Sequence, residues 1–199
     1  MDILAVLGSP NREGNTARLL SAVVEGAEAG GARIRHIDIS DYNVKPVWPG
    51  YFSDVMNGTT DTAGDDMPKL AKMMLRADII LLACPIYWYQ LPGPLKTFVD
   101  RWSDFLTADF SSELAGTGLA LATSHSGLGL MKSSAYLQLA MAGTAAFLGM
   151  KWLGAVETPG SLPGFDGPAE AHYELARLFG AKLALGKNEI GQVAIEETE

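Results

Sequence analysis

The stretch ILAVLGSPNREGNT, residues 3–16, has the order of a buried strand, a tight loop and the start of a helix. Its first five residues are apolar without alternation, which is typical of a strand covered on both faces of a parallel sheet. Gly8 and Gly14 permit sharp turns, and apolar residues between Leu19 and Ala27 recur on one helical face. The stretch therefore predicts the first strand–loop–helix unit of an α/β protein.

The same alternation continues along the chain. Further strand-like runs are predicted at residues 33–39, 79–83, 119–122 and 152–156. Helical stripes of apolar residues lie between and after them, the last two including Phe147, Leu175 and Leu178. Five strands that alternate with helices predict a doubly wound parallel sheet with strand order 2-1-3-4-5 and helices on both faces. In such a sheet the ligand binds outside the carboxyl ends of strands 1 and 3.

The length of the chain favours one domain over residues 1–199. Two segments depart from the alternation. Residues 42–64 are predicted to form a long, irregular insertion loop, and residues 186–199 are expected to form a flexible tail.

Aromatic residues predict self-association. Trp48, Tyr51 and Phe52 in the insertion, with Trp102 and Phe105, suggest more apolar surface than one small domain buries. We therefore expect a homo-oligomer, either a dimer or a tetramer.

The balance of charge limits the partners. Lys and Arg number 15 and Asp and Glu number 23, which gives a net charge of −8, and the basic residues are not expected to cluster. Neither nucleic acid nor a membrane is an expected partner. The single cysteine, Cys84, excludes an internal disulfide framework, and the first residues lack the basic segment of a secretory signal. We expect a cytoplasmic protein.

The loop after strand 1, Gly8 to Thr16, favours an anion site. Its hydroxyl and amide side chains, together with N–H groups of the following helix, are suited to converge on a phosphate. The loop matches neither the Walker A pattern nor Gly-x-Gly-x-x-Gly, and it lacks the lysine that binds triphosphates. A monophosphate is therefore favoured. In the alternative interpretation, Asn15 or Thr16 only caps the helix.

The loops after strands 3 and 4 also have unusual compositions. Tyr87, Trp88 and Tyr89 are three consecutive aromatic residues, which favours the wall of a flat ligand over a cap on the core or a subunit contact. His125, in the loop after strand 4, is equally consistent with a ligand contact or proton transfer and with a structural hydrogen bond. Ser126 lacks the glycine two positions earlier that a nucleophile elbow needs, and no metal site is expected.

These loops together resemble those of the flavodoxin-like NADPH-dependent FMN reductases, a family that includes quinone, azo and nitro reductases and iron-sulfur flavoproteins. The resemblance rests on Gly8-Ser9-Pro10 followed by Gly14-Asn15-Thr16, and on the segment from Asp78 through Pro85-Ile86-Tyr87-Trp88 to Trp102. It covers about residues 1–157.

The resemblance implies which residues bind FMN. The residues implied at the phosphate are Ser9, Asn11, Gly14, Asn15 and Thr16, those at the flavin ring are Pro85, Ile86, Tyr87 and Trp88, and those at its far edge are Ser124, His125, Ser126, Gly127 and Gly129. Relatives often carry arginine directly after Gly-Ser-Pro, where this chain has Asn11, so Arg12 is a further candidate for the phosphate. The iron-sulfur relatives place a cysteine cluster after strand 2, where this chain has no cysteine.

The function implied is that of an FMN-dependent oxidoreductase, in which hydride from NADPH or NADH passes through FMN to a small electron-poor acceptor such as a quinone, a flavin, or an azo or nitro compound. His125 and Tyr87 are the candidate catalytic residues. One alternative is a flavodoxin-type carrier that passes single electrons to a protein partner, for which the acidic surface is suited. Another is a module that senses flavin or nucleotide without turnover.

Overall fold

The computed structural model describes residues 1–126, 133–160 and 168–186. Its five strands are β1 (Asp2–Leu7), β2 (Arg33–Asp38), β3 (Ile79–Pro85), β4 (Gly118–His125) and β5 (Lys151–Pro159). All pairings are parallel, and the order is β2-β1-β3-β4-β5, which confirms the predicted sheet. β3 and β4 extend past their predicted apolar runs. Pro85, Ser124 and His125 therefore lie in the last residues of these strands and not in the loops after them.

Helices cover both faces of the sheet. They are α1 (Asn15–Ala29), α2 (Tyr51–Asn57), α3 (Met67–Met74), α4 (Gly93–Asp100), α5 (Ala135–Phe147) and α6 (Glu170–Ala184), and short 3₁₀ turns occupy Ile39–Asp41 and Arg101–Phe105. One apolar core lies between the sheet and α3, α4 and α5. The other lies between the sheet and α1 and α6.

The packing of α6 differs from the prediction. Leu175 and Leu178 were expected in the buried stripe, but both are exposed. The helix instead crosses α1 through glycines, because a Cβ at Gly180 would lie 1.9 Å from the Val23 carbonyl oxygen, and one at Gly26 would be equally close to Arg177. Close backbone contact selects small residues here, and it turns the leucines outward.

The insertion is also more ordered than predicted. Residues 42–64 contain α2, which is bounded by Gly50 and Gly58 in the left-handed conformation, so the expectation of an irregular loop throughout is wrong. Tyr51 is its buried residue, and Trp102 and Phe105 are core residues as well. These three side chains therefore do not supply the exposed surface on which the expected self-association was based.

Phe52 of the insertion is 48% exposed, and further exposed apolar surface lies on α5. The predicted core residue Phe147 is exposed, and it shares its helix face with other apolar, exposed residues: Ala135, Tyr136, Leu139, Gly143 and Ala146. Within the part of the chain that the structure describes, no helix is long and apolar enough to cross a membrane.

Candidate functional site

The carboxyl ends of β1, β3 and β4 bring the three predicted loops together. The Gly8 N–H donates to the Ala83 carbonyl at 2.7 Å, and the Ile86 N–H donates to the Ser124 carbonyl at 2.9 Å. The buried hydroxyls of Thr16 and Ser124 lie 2.7 Å apart and form a hydrogen bond. Direct hydrogen bonds therefore hold the three loops together at the carboxyl edge of the sheet, where this topology is expected to form a crevice.

The first loop has the features of an anion site. The buried Ser9 hydroxyl lies 3.1–3.2 Å from the backbone oxygen and nitrogen of Asn11, and the Asn11 side chain accepts from the Glu13 N–H at 3.0 Å. α1 begins after Gly14, which has no side chain to cap the first turn. A Cβ at Gly14 would lie 3.1 Å from the Asn11 side chain, so a larger residue there would have to displace that side chain slightly. The positive end of the helix dipole thus faces a compact, hydroxyl-rich loop that fits a terminal phosphate.

Arg12 is held by carboxylates. Its guanidinium lies 2.8 Å from Asp38 and 2.5 Å from Asp41, and it also donates to the Ser40 hydroxyl at 3.0 Å. The hydrogen bond to Asp41 and the charge of Asp38 raise the pKa of Arg12. This arrangement ties the first loop to the end of β2. A contact between Arg12 and a phosphate stays a prediction.

The aromatic loop after β3 is strained. Tyr87 and Gln90 exchange two backbone hydrogen bonds of 3.1 and 3.0 Å, and the two residues between them, Trp88 and Tyr89, have φ angles of 51° and 65°. A two-residue turn with both φ angles positive normally contains Asn-Gly, and each bulky residue in that conformation costs on the order of 1–3 kcal/mol. Trp88 is 90% exposed. Strain and exposure together are typical of a binding site rather than a structural turn.

His125 ends β4 next to this loop. It is only 8% exposed, and its carbonyl accepts from the Gly160 N–H at 2.7 Å. Its Nδ1 atom is buried and has no hydrogen-bond partner among the described residues. A buried nitrogen in that state costs about 1–3 kcal/mol, which a ligand group at the crevice would offset. Ser126 is half-buried, whereas Gly127 and Gly129 lie outside the described residues.

Cys84, near the end of β3, is not a reactive residue of the site. Its thiol is fully buried, and burial raises its pKa to about 12, against an opposing hydrogen bond with Thr123. The thiolate is therefore absent at neutral pH, and the residue packs as a small apolar side chain. In residues 1–126, 133–160 and 168–186, no group of three or more His, Cys, Asp or Glu residues is arranged to bind a metal.

The prediction missed two supporting residues. The ring of Tyr136, on α5, meets that of Tyr89 edge-on at 5.6 Å and supports the strained turn. Leu95, on α4, packs so closely against Gly8 that a Cβ there would lie 2.6 Å from it. No local pattern signals contacts between residues so far apart in sequence.

A parallel sheet of order 2-1-3-4-5, with an anion loop after β1 and an aromatic loop after β3, defines a flavodoxin-like protein. More specifically, the model of the NADPH-dependent FMN reductase family matches residues 1–157. The chain belongs to this family, as its sequence motifs predict.

Relatives support this assignment. The NAD(P)H-dependent FMN-containing oxidoreductase YwqN of Bacillus subtilis is 32% identical over 108 residues, which cover 53% of this chain and 54% of that protein. An iron-sulfur flavoprotein of Archaeoglobus fulgidus is 29% identical over 101 residues, 51% of this chain and 45% of the relative. The chain thus spans about half the length of these relatives.

Solved structures support the fold. The NAD(P)H:quinone oxidoreductase from Methanothermobacter marburgensis superposes with a TM-score of 0.73 at 18% identity, over 92% of this chain and 96% of that one. At this identity the likeness shows a shared fold.

Proposed function

We propose that this chain is an FMN-dependent NAD(P)H oxidoreductase that reduces a small electron-poor acceptor, such as a quinone, a flavin, or an azo or nitro compound. Family membership supports the reaction class. The observation that carries the proposal is the Thr16–Ser124 hydrogen bond of 2.7 Å, because it joins the anion loop to the strand end beside the aromatic loop. A molecule with a terminal phosphate and a flat ring would contact both.

The phosphate end is assigned to the start of α1. The hydroxyls of Ser9 and Thr16, the side chains of Asn11 and Asn15 and the backbone at Gly14 would bind the phosphate there, next to the positive helix end. A monophosphate suits this site because one helix start and one loop form it.

The ring end is assigned to the loops after β3 and β4. FMN bound there supplies the hydride chemistry that no side chain of the site supplies itself. Pro85 and Ile86 would support the ring, and the exposed Tyr87 and Trp88 would orient it and exclude water. His125 would hold a hydrogen bond from its buried ring to a ligand oxygen or nitrogen, and so stabilise negative charge during reduction.

The phosphate assignment is tested with Asn15→Ala/Thr16→Ala, measured by FMN binding. Charge-assisted hydrogen bonds contribute roughly 1.5–3 kcal/mol each, so we expect affinity to fall at least tenfold. Ser21→Ala, at an exposed position farther along α1, is the matched control and should bind FMN normally. Unchanged affinity in the double variant would contradict the site.

Self-association is assigned to the exposed face of α5. The helix has no charged residue, and no described atom lies within 4 Å of a Cβ built on Gly143, which leaves room for close approach. A second copy is the proposed occupant, since two chains of net charge −8 meet with least repulsion at an uncharged, self-complementary face. Leu139→Lys should convert the dimer or tetramer to monomer in light scattering, and a wild-type mass near 21.2 kDa would overturn the proposal.

A one-electron carrier is the second candidate, because the 90% exposure of Trp88 also suits docking by a protein partner. The two functions differ in whether nicotinamide reduces the bound flavin. A cytoplasmic location is proposed in either case, and the single buried thiol suits a reducing compartment.

A further inference from the structure

The fold assembles a basic groove at the end of β1 opposite to the crevice. The groove has a volume of about 480 Å³ and is lined by residues from β1, from β2, and from α3 and the turn after it. Its cationic residues are Arg33, Arg35, Lys69, Lys72 and Arg76. The expectation that basic residues do not cluster is therefore wrong, because β2 and α3 are distant in sequence and meet only in the folded chain.

Most of this positive charge is uncompensated. Arg33 forms an ion pair with Asp2 at 2.5 Å. The other four cations form no ion pair with any residue in the described ranges, and Lys69 lies over the Tyr42 ring at 4.7 Å. By contrast, Arg12 and Arg177 each contact two carboxylates. Leaving four cations unpaired is notable in so acidic a chain, where carboxylates are in excess.

The groove combines charge with an apolar floor. Leu4 is buried, and Met73 and Ala77 are partly buried beneath the cationic rim. On α3 and the turn after it, Lys69, Lys72 and Arg76 recur at three- and four-residue spacing, which places them along one side. A ligand that complements both the cationic rim and the apolar floor carries several negative charges on an apolar or aromatic group.

Size and charge favour a small molecule over a macromolecule. A volume of about 480 Å³ falls in the usual range of small-ligand sites. The groove takes five of the 15 cations and one of the 23 carboxylates, so the rest of the chain has a net charge of −12. That surface repels a long polyanion, whereas a ligand inside the groove is screened from it beyond a Debye length of about 8 Å.

We propose that this groove is a second ligand site, which binds a nucleotide-sized organic phosphate. The site is separate from the crevice, because β1 rises about 3.3 Å per residue and Asp2 lies about 20 Å from Gly8 along it. The proposal does not depend on the oxidoreductase activity.

The test is calorimetric titration of the FMN-saturated protein with ATP, with adenosine as the uncharged comparison. FMN saturation keeps ATP from the loop after β1. ATP should bind and adenosine should not, and Lys72→Gln/Arg76→Gln should weaken ATP about tenfold. Arg18→Gln/Arg177→Gln removes the same charge from the opposite face of the sheet and should change ATP affinity less than twofold.

Three results would overturn the proposal. These are no ATP binding up to millimolar concentration, equal ATP affinity in the groove variant and wild type, and tighter groove-dependent binding of a single-stranded DNA oligonucleotide than of ATP. Lys72 and Arg76 are exposed, so melting temperatures close to wild type are expected and confirm that the variant is folded.

Discussion

Two regions that flank α4 use aromatic and polar residues in opposite ways. Before the helix, the aromatic loop holds Trp88 and Tyr89 in a strained turn, beside a His125 ring nitrogen that has no partner among the described residues. After the helix, Arg101 is 0% exposed and lies at the centre of a cluster that anchors the insertion. The first region leaves strain and a buried nitrogen unsatisfied among the described residues, as the proposed ligand site requires, whereas in the second the protein satisfies its own polar groups.

The Arg101 cluster has a full set of partners. The guanidinium donates to Asp65 at 2.6 Å, to Asp104 at 2.8 Å and to the Lys45 carbonyl at 2.9 Å. It also lies 5.3 and 5.4 Å from the ring centroids of Trp48 and Tyr51. Burial opposes the charge, but the hydrogen bonds to Asp104 and Asp65 raise the pKa of Arg101 overall. The cluster is thus a preorganised anchor.

The largest effect should come from breaking this anchor. Arg101→Met leaves Asp65 and Asp104 without their common cation, and breaking a buried pair costs about 3–5 kcal/mol. Urea unfolding should show that loss. Arg177→Met removes a partly exposed arginine that also contacts two carboxylates, and it should cost less than about 1 kcal/mol. Equal losses of unfolding free energy in the two variants would show that the Arg101 cluster is no stronger an anchor than the ion pairs of Arg177.

At the candidate site we expect a variant to lose activity while its stability stays close to that of wild type. His125→Ala removes a buried nitrogen without a described partner, so the free energy of unfolding should change little. Acceptor reduction should slow about 10²-fold while FMN stays bound, within the general acid–base range. His36→Ala, at an exposed position on β2, is the control. A normal rate for His125→Ala would assign the residue a structural role only.

Relief of strain in the turn after β3 should stabilise the fold and weaken ligand binding. Trp88→Asn/Tyr89→Gly supplies residues that favour positive φ, so we expect about 1 kcal/mol of added stability after loss of the contact with Tyr136. FMN should bind more weakly. Phe110→Asn relieves a similar φ of 62° at a residue outside the three predicted site loops and should leave FMN affinity unchanged. A destabilised Asn-Gly variant would show that the turn carries no strain.

The smallest effect concerns alkaline pH. Burial and the hydrogen bond to Asp104 raise the pKa of Tyr51. A raised folded-state pKa contributes stability that is complete below the unfolded value near 10 and is lost above it. Wild type should therefore lose about 1 kcal/mol more than Tyr51→Phe between pH 8 and pH 11, measured by urea unfolding. Parallel pH profiles would contradict this role.

The sequence predicts the features that local patterns carry. Continuous apolar runs mark β1, β3 and β4 because these strands are buried on both faces. The insertion helix escaped prediction because Tyr51 is its one buried residue among those described. In α6, hydrophobicity favoured Leu175 and Leu178, whereas contact with α1 selects Gly180 and Ala176.

The composition of three loops predicted the candidate site, whereas the contacts that join those loops were not predicted. The motifs indicated the three loops, and the parallel topology brought them together. The Thr16–Ser124 bond, the Tyr89–Tyr136 contact and the basic groove join residues distant in sequence, so no periodicity reports them.

The most direct test of the central claim is anaerobic stopped flow with FMN-loaded wild-type protein. NADH and NADPH are mixed separately, and the visible band of oxidised flavin is followed. At least one donor should bleach the band within seconds, and a quinone should then restore it. A flavin that stays oxidised with both donors for many minutes would contradict the oxidoreductase proposal and favour the electron carrier.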